Sequence, residues 1–268
     1  MSNRQTDKAG KADVADAEMR AALFRQIGER KAALDAARPL DPFEVKQLQQ
    51  YFKIGLTYSS NALEGNTLDL IETKIVIEDG LTIGGKPVRD HLEALGHADA
   101  YDHLLALAQR ENLREEDIRE LHRLFYFRID QAQAGVYRQQ QVFLSGSEFV
   151  PPAASEVPKR MRKLFDKIER ERTARHPVAF AAWLHFEFVT IHPFIDGNGR
   201  TARLAMNLAL LQSGYPIVII PPIRRADYIR ALQREQTKHV VKFEDSFEAL
   251  IADLTLSSLS EYLRLIQR

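Results

Sequence analysis

The sequence predicts an all-α protein, mainly α throughout and broken by one short β-hairpin. Two observations carry this. Between successive Pro and Gly breaks, nearly every segment of the 268 residues repeats its apolar side chains at three- and four-residue spacing, as a helix with one buried face does. One stretch differs. GVYRQQQVFLSGSEFVPP, residues 135–152, gathers β-branched and aromatic residues around Ser145-Gly146-Ser147, which reads as two short strands and a turn.

The elements follow in order. Residues 1–17 are polar and aperiodic and read as a mobile, disordered tail. AEMRAALFRQIGERKAALDA is helical, and Pro39 closes it. DPFEVKQLQQYFKIGLTYSS opens with Asp41 as N-cap and Pro42 at the first helical position. TLDLIETKIVIEDG ends at Gly80, and LTIGGKPV is a connector lacking the second half of a phosphate-loop pattern. RDHLEALGHADAYDHLLALAQR and REEDIRELHRLFYFRI are the next two helices, the second opened by acidic residues that suit the helix dipole. After the hairpin come SEVPKRMRKLFDKIERER and the almost wholly apolar HPVAFAAWLHFEFVTI, which reads as central and is ended by Pro193. RTARLAMNLALLQSG, RADYIRALQREQ and a C-terminal helix finish the chain, with YPIVIIPP extended between the first two.

Composition bounds the function. Lys plus Arg equals Asp plus Glu, at 37 each, so no global field draws in nucleic acid or an anionic membrane. With no cysteine there is no disulfide framework, thiolate metal site or cysteine nucleophile. The N-terminal residues lack the apolar core of a signal peptide, and no apolar run reaches membrane-spanning length. The expectation is a cytoplasmic protein without nucleic-acid or membrane partners.

The chemistry concentrates in HPFIDGNGRTAR, residues 192–203. A glycine turn, Gly197-Asn198-Gly199, feeds directly into a helix, whose free N–H groups and positive dipole end suit phosphate. Arg200 and Arg203 lie three apart and share one face of the first turn, where guanidinium groups would clamp further phosphate oxygens. Asp196 would repel bare phosphate but suits Mg²⁺, which binds through one or two carboxylates plus substrate phosphates. His192 is the nearby group suited to take a proton near neutral pH. His97 and His185 read as structural.

These residues resemble the signature of Fic-domain proteins: His, any, Phe, any, Asp or Glu, Gly, Asn, Gly, Arg, any, any, Arg. All eight defined positions are met. AGVYRQQQVFLSG, residues 134–146, is similar to the family's flap, and the resemblance covers roughly residues 55–240. It implies a Fic-type helical fold with a short β-hairpin flap, and a protein adenylyltransferase that moves AMP from Mg·ATP to a Ser, Thr or Tyr hydroxyl of a target protein. Carried over, His192 is the base, Phe194 fixes the loop, and Asp196 holds the metal. Gly197, Asn198 and Gly199 cradle the anion, and Arg200 and Arg203 bind the outer phosphates. Tyr228 matches an adenine-stacking position, although Ile229 and Gln236 depart from the family's tyrosine and asparagine there. A core tyrosine is the equally weighted alternative. The flap residues Val142, Phe143, Leu144 and Ser145 would offer an edge on which the target docks as an added strand.

Upstream, SSNALEGN, residues 59–66, is similar to the family's inhibitory motif of Ser or Thr, three residues, Glu, then Gly or Asn. Ser60 and Glu64 lie four apart and Gly65 stops the turn. The resemblance implies that Glu64 pairs with Arg203 in place of the γ-phosphate, as in the subgroup whose inhibitory helix is N-terminal. The expected organisation is thus a helical region over 18–85 carrying Ser60–Gly65, a Fic core over 86–240, and a C-terminal helix over 241–268 packing on it. The expected partners are a target docking on 135–150, the protein itself through self-modification, and a second copy in a homodimer. Three alternatives stay open: removal of AMP, alone or beside its transfer; transfer of UMP or phosphate; and a non-catalytic nucleotide-binding module. Lysine usually stands at Gly199 in the phosphate-transferring relatives, which disfavours that branch.

Overall fold

The almost uncharged segment Pro177–Ile191 cannot face water, and the fold is arranged around it. In this computed structural model, which describes residues 3–144, 146, 148–237 and 241–266, that segment is helix α7 in chain order. It packs against α6 (Val157–Ala174), α8 (Asn198–Gln212) and α10 (Phe247–Ile266). Burying apolar surface drives this placement. Ala181, Leu184 and Phe188 of α7 are fully buried, as are Leu204, Ala205 and Leu208 of α8. Helix α1 (Asn3–Ala36) lies along α10. Helix α2 (Pro42–Ala62) packs on α3 (Leu70–Glu78), on α4 (Val88–Leu107) and on α8. Helix α5 (Glu115–Tyr126) joins α4 to α8, and α9 (Arg225–Thr237) leads into α10. One apolar core draws on every α-helix but α3, from Ile27 and Leu34 through Phe52, Phe125 and Phe188 to Leu259, and Val76 of α3 joins a smaller cluster with Leu68 and Ala94.

The helix starts follow the chemistry of the sequence. The Asp41 side chain accepts from the N–H groups of Phe43 and Glu44, with Pro42 at the first position. Asp69 and Glu72 form a reciprocal capping box that opens α3.

Two segments differ from expectation. The stretch read as a mobile tail over residues 1–17 is helical from Asn3 onward, continuous with α1. Asp16 is tied down, its carboxylate accepting from the Phe243 N–H. The expected β-hairpin flap is not shown: no strand occurs among the described residues, which in this segment are 135–144, 146 and 148–150. Here side chains satisfy the carbonyls that a ladder would pair. Arg138 donates to the carbonyls of Gln140 and Pro152, and Gln141 to that of Pro151. Pro151 and Pro152 have no N–H to return.

Candidate active site

The turn between α7 and α8 is built residue by residue. His192 ends α7 in the left-handed region, at φ 52, the one non-glycine with positive φ among the described residues. Such a conformation persists only where its surroundings hold it. Here the His192 N–H donates to Phe188 O at 3.0 Å, and its carbonyl accepts from Arg138 Nε at 2.8 Å. Arg138 N–H also donates to Pro193 O. The imidazole Nδ1 faces Val189 O at 3.3 Å. A carbonyl only accepts, so Nδ1 carries the proton and Nε2 keeps its lone pair. Burial pushes the His192 pKa down to about 4, which keeps the ring neutral at pH 7.

Phe194 is fully buried and stacks on His122, with ring centroids 3.6 Å apart. His122 Nδ1 accepts from the Gly135 N–H, so its Nε2–H donates to Asp196 O at 3.1 Å. This one histidine therefore ties the loop to the segment before 138. The Asn198 side chain closes the turn by a two-way bond to the Phe194 backbone, at 2.8 and 2.9 Å. Gly197 caps α8 at φ 77, and a Cβ there would come 2.8 Å from the Phe125 ring. Only glycine meets both demands.

The two arginines hold different carboxylates. Arg203 is buried. Its Nη2 donates to Glu64 Oε1 at 2.7 Å and to Ser60 O at 2.8 Å, its Nε to Ser60 Oγ at 2.9 Å, and its Nη1 to the Tyr228 hydroxyl at 3.2 Å. Glu64 Oε1 lies so close over Gly199 that a Cβ there would run into it. A carboxylate thus rests at the N-terminus of α8, where a phosphate would sit. Burial works to raise the Glu64 pKa, but Arg203 and Arg200 outweigh it and hold the group ionised. The turn that carries Glu64 is itself fastened: Arg225 Nε donates to Leu63 O at 2.8 Å, and Gly65 adopts φ 96.

Arg200 turns inward. It is 3% exposed, lies over the Phe125 ring, pairs with Glu93 at 3.0 Å and reaches Asp196 at 3.4 Å. The sequence places both arginines on the anion; in the structure Arg203 pairs with Glu64 at the start of α8, whereas Arg200 pairs with Glu93 and Asp196. Tyr228 departs similarly. It is 3% exposed, with its hydroxyl between Arg203 and His185 Nε2, so it positions Arg203 and offers no open stacking face. His97 is also structural as expected, its Nδ1 bonded to Thr57 Oγ1.

Asp196 is the loop's carboxylate. Its Oδ1 accepts from the Gly197 N–H, and its Oδ2 pairs with Arg89 at 2.7 Å. Burial opposes its ionisation, but Arg200, the Gly197 N–H and Arg89 lower its pKa on balance. Among the described residues no group of three or more His, Cys, Asp or Glu gathers as a metal cage. A single, 41% exposed carboxylate fits a hard cation that arrives with phosphates and keeps its other ligands from them. Of the flap residues, Phe143 is 78% exposed, Val142 and Leu144 are half-buried, and Ser145 lies outside the described residues.

Sequence reasoning passed over Arg89, Glu93, His122 and Arg138. The signal for two of them was available. Arg89, Glu93 and His97 recur every four residues along α4 and so lie in one row of the helix. His122 and Arg138 act across 74 and 54 residues of chain, which spacing does not reveal.

A glycine turn at a helix N-terminus beside a buried arginine is an arrangement that suits an anion, and here it holds the Glu64 carboxylate. Comparison with known proteins narrows the reading. The model of the Fic/DOC family matches residues 112–210. The protein adenylyltransferase Fic of Drosophila willistoni is 38% identical over 208 residues, 77% of this chain and 41% of that protein. The crystal structure of a Fic domain containing signaling protein from Bacteroides thetaiotaomicron superposes with a TM-score of 0.82 at 29% identity, covering 90% of this chain and 98% of that one. Fic-1 from C. elegans superposes with a TM-score of 0.84 at 26% identity, covering 99% of this chain and 78% of that one. The chain belongs to the Fic/DOC family, and it spans about two fifths of the length of the curated relatives it matches.

Proposed function

We propose that this chain transfers AMP from Mg·ATP to a Ser, Thr or Tyr hydroxyl of a protein, and that Glu64 holds the reaction in check. The observation that carries the reading is the placement of a lone-pair imidazole nitrogen and an anion seat by one twelve-residue loop. His192 Nε2 takes the proton of the acceptor hydroxyl, whose oxygen attacks the α-phosphorus. The bond from the α-phosphorus to the bridging oxygen breaks, and pyrophosphate leaves. Arg203 and the α8 N-terminus hold the outer phosphates and the charge that develops on them. Bound at Asp196, Mg²⁺ would neutralise phosphate charge at the reacting end. Arg200 and His122 keep Asp196 in place, and Asn198 closes the turn.

Glu64 occupies the seat an outer phosphate needs. A 100-fold repression corresponds to about 2.7 kcal/mol, within the ~1.5–3 kcal/mol of one hydrogen bond to a charged group. An acceptor segment would meet the protein at 135–150, where Phe143 stands out as an apolar anchor. The protein's own hydroxyls are further acceptors. A second reading rests on the ionised state of Glu64. A carboxylate beside the phosphoryl seat can orient a water, and the same site would then remove AMP from a modified protein.

The Glu64→Gly protein, incubated with ATP labelled at the α- or the γ-phosphate, separates these readings. Acceptor labelled only from α-ATP supports AMP transfer. Label from γ-ATP means phosphate transfer, and binding without label means a non-catalytic module. Loss of label from a pre-modified protein by the unaltered chain, but not by Glu64→Gly, supports removal.

A further inference from the structure

Asp196 is shared by two arginines of opposite character. Arg200 is fixed, with its side chain 3% exposed, wedged on Phe125 and paired to Glu93. Arg89, from the first turn of α4, reaches Asp196 Oδ2 at 2.7 Å from a side chain that is 54% exposed. Its Nε rests on Glu93 Oε1 at 3.1 Å, and Glu93 Oε2 in turn accepts from Asn66 Nδ2 at 3.0 Å. The four charged groups, two arginines and two carboxylates, balance as they stand. Arg89 is the most exposed of the four and is held at the surface, and when it swings into water the buried Glu93 keeps Arg200 and Asn66 as partners.

We infer that Arg89 is a placeholder cation: it occupies the Asp196 carboxylate oxygen that the nucleotide's divalent cation requires and is displaced when the metal·nucleotide complex binds. This rests on the function proposed above. The physical case is competition for one oxygen. A guanidinium hydrogen-bonded to Oδ2 takes up a lone pair, and its charge opposes a second cation a few ångströms away. With the metal present, Arg89 must let go. In its absence, Arg89 screens Asp196 and so spares an incoming phosphate the repulsion of a bare carboxylate. The two ends of the seat are then filled symmetrically, Glu64 standing where an outer phosphate goes and Arg89 where the cation goes. Removing Glu64 frees only the first.

The two states respond oppositely to loss of Arg89, which makes the inference testable by binding alone. The chain carrying Glu64→Gly, with and without Arg89→Ala, is titrated calorimetrically with a non-hydrolysable ATP analogue, once in saturating Mg²⁺ and once in EDTA. The expected change is about 1.4- to fivefold, the equivalent of the ~0.2–1 kcal/mol of an exposed ion pair. Arg89→Ala should tighten binding in Mg²⁺ by that factor and weaken it in EDTA, with Arg89→Lys falling between. Weaker binding under both conditions would make Arg89 a phosphate ligand and overturn the inference. Unchanged binding under both would reduce Arg89 to a surface ion pair and overturn the inference equally. If the Glu64→Gly protein with Arg89 intact binds equally with and without Mg²⁺, the metal role of Asp196 falls and the placeholder falls with it.

Discussion

Arg203 shows how much one side chain decides. Its donors are engaged by Ser60, Glu64 and Tyr228, so its position is fixed before any nucleotide arrives. Preorganisation of this kind lets an electrostatic contact act without reorganising at the moment of reaction. Tyr228 is one of those fixed points. Tyr228→Phe keeps the buried ring but removes the acceptor for Arg203 and the donor to His185. It should cost about 1–3 kcal/mol of stability, because buried polar partners are left unpaired. Urea unfolding of the two proteins measures this, and an unchanged midpoint would show that Tyr228 serves through its ring alone.

Elements, more than single residues, separate what the sequence revealed from what it did not. The helices were legible because apolar periodicity, Asp41-Pro42, Pro193 and Gly214 all act locally. The 192–203 loop was legible as a unit because its residues are contiguous and close one turn into α8. The strands expected in the flap are not seen among its described residues, and the side chains give a physical reason. Val142, Phe143 and Leu144 carry strand propensity, yet propensity reports fit to a pleated, half-buried surface, and here Phe143 is exposed while Arg138 and Gln141 side chains take the carbonyls. The inward turn of Arg200 was not legible either, since its partner Glu93 lies on another helix. Arg138 is the pin of this region, joining Gln140 O, Pro152 O and the His192 carbonyl. Arg138→Ala should loosen both the flap and the left-handed turn at His192. The expected result is at least a tenfold fall in AMP transfer, measured in the Glu64→Gly background, with nucleotide affinity changed less than about threefold. Equal losses in both would place Arg138 in nucleotide binding.

At the scale of the whole molecule, no helix among the described residues is long and apolar enough to cross a membrane, and the fold buries several histidines in neutral form. Burial lowers the pKa of His97 to about 3 and those of His122 and His192 to about 4, with Arg203 and Arg200 adding to the effect at His97. The unfolded chain takes up these protons near pH 6.5. Stability is therefore at its plateau above about pH 7 and falls as pH drops from 6.5 toward 4, because only the unfolded state binds protons there. Each such histidine contributes a slope of up to about 1.4 kcal/mol per pH unit. Melting temperatures measured from pH 8 to pH 4.5 should be flat down to about 6.5 and then decline steeply. A flat profile to pH 5 would contradict the buried neutral state.

All three scales meet in the pairing of Glu64 with Arg203 over the start of α8. If Glu64 occupies the phosphate seat, removing it must release the chemistry that the loop is arranged to perform. The decisive measurement is AMP transfer from α-labelled ATP, in Mg²⁺ with a competent acceptor, by the unaltered chain, by Glu64→Gly, and by Glu64→Gly combined with His192→Ala. The account predicts at least a roughly tenfold rise on Glu64→Gly, equivalent to ~1.4 kcal/mol, and its abolition by His192→Ala with nucleotide binding retained. Transfer that is unchanged by Glu64→Gly, or that survives His192→Ala, would contradict it.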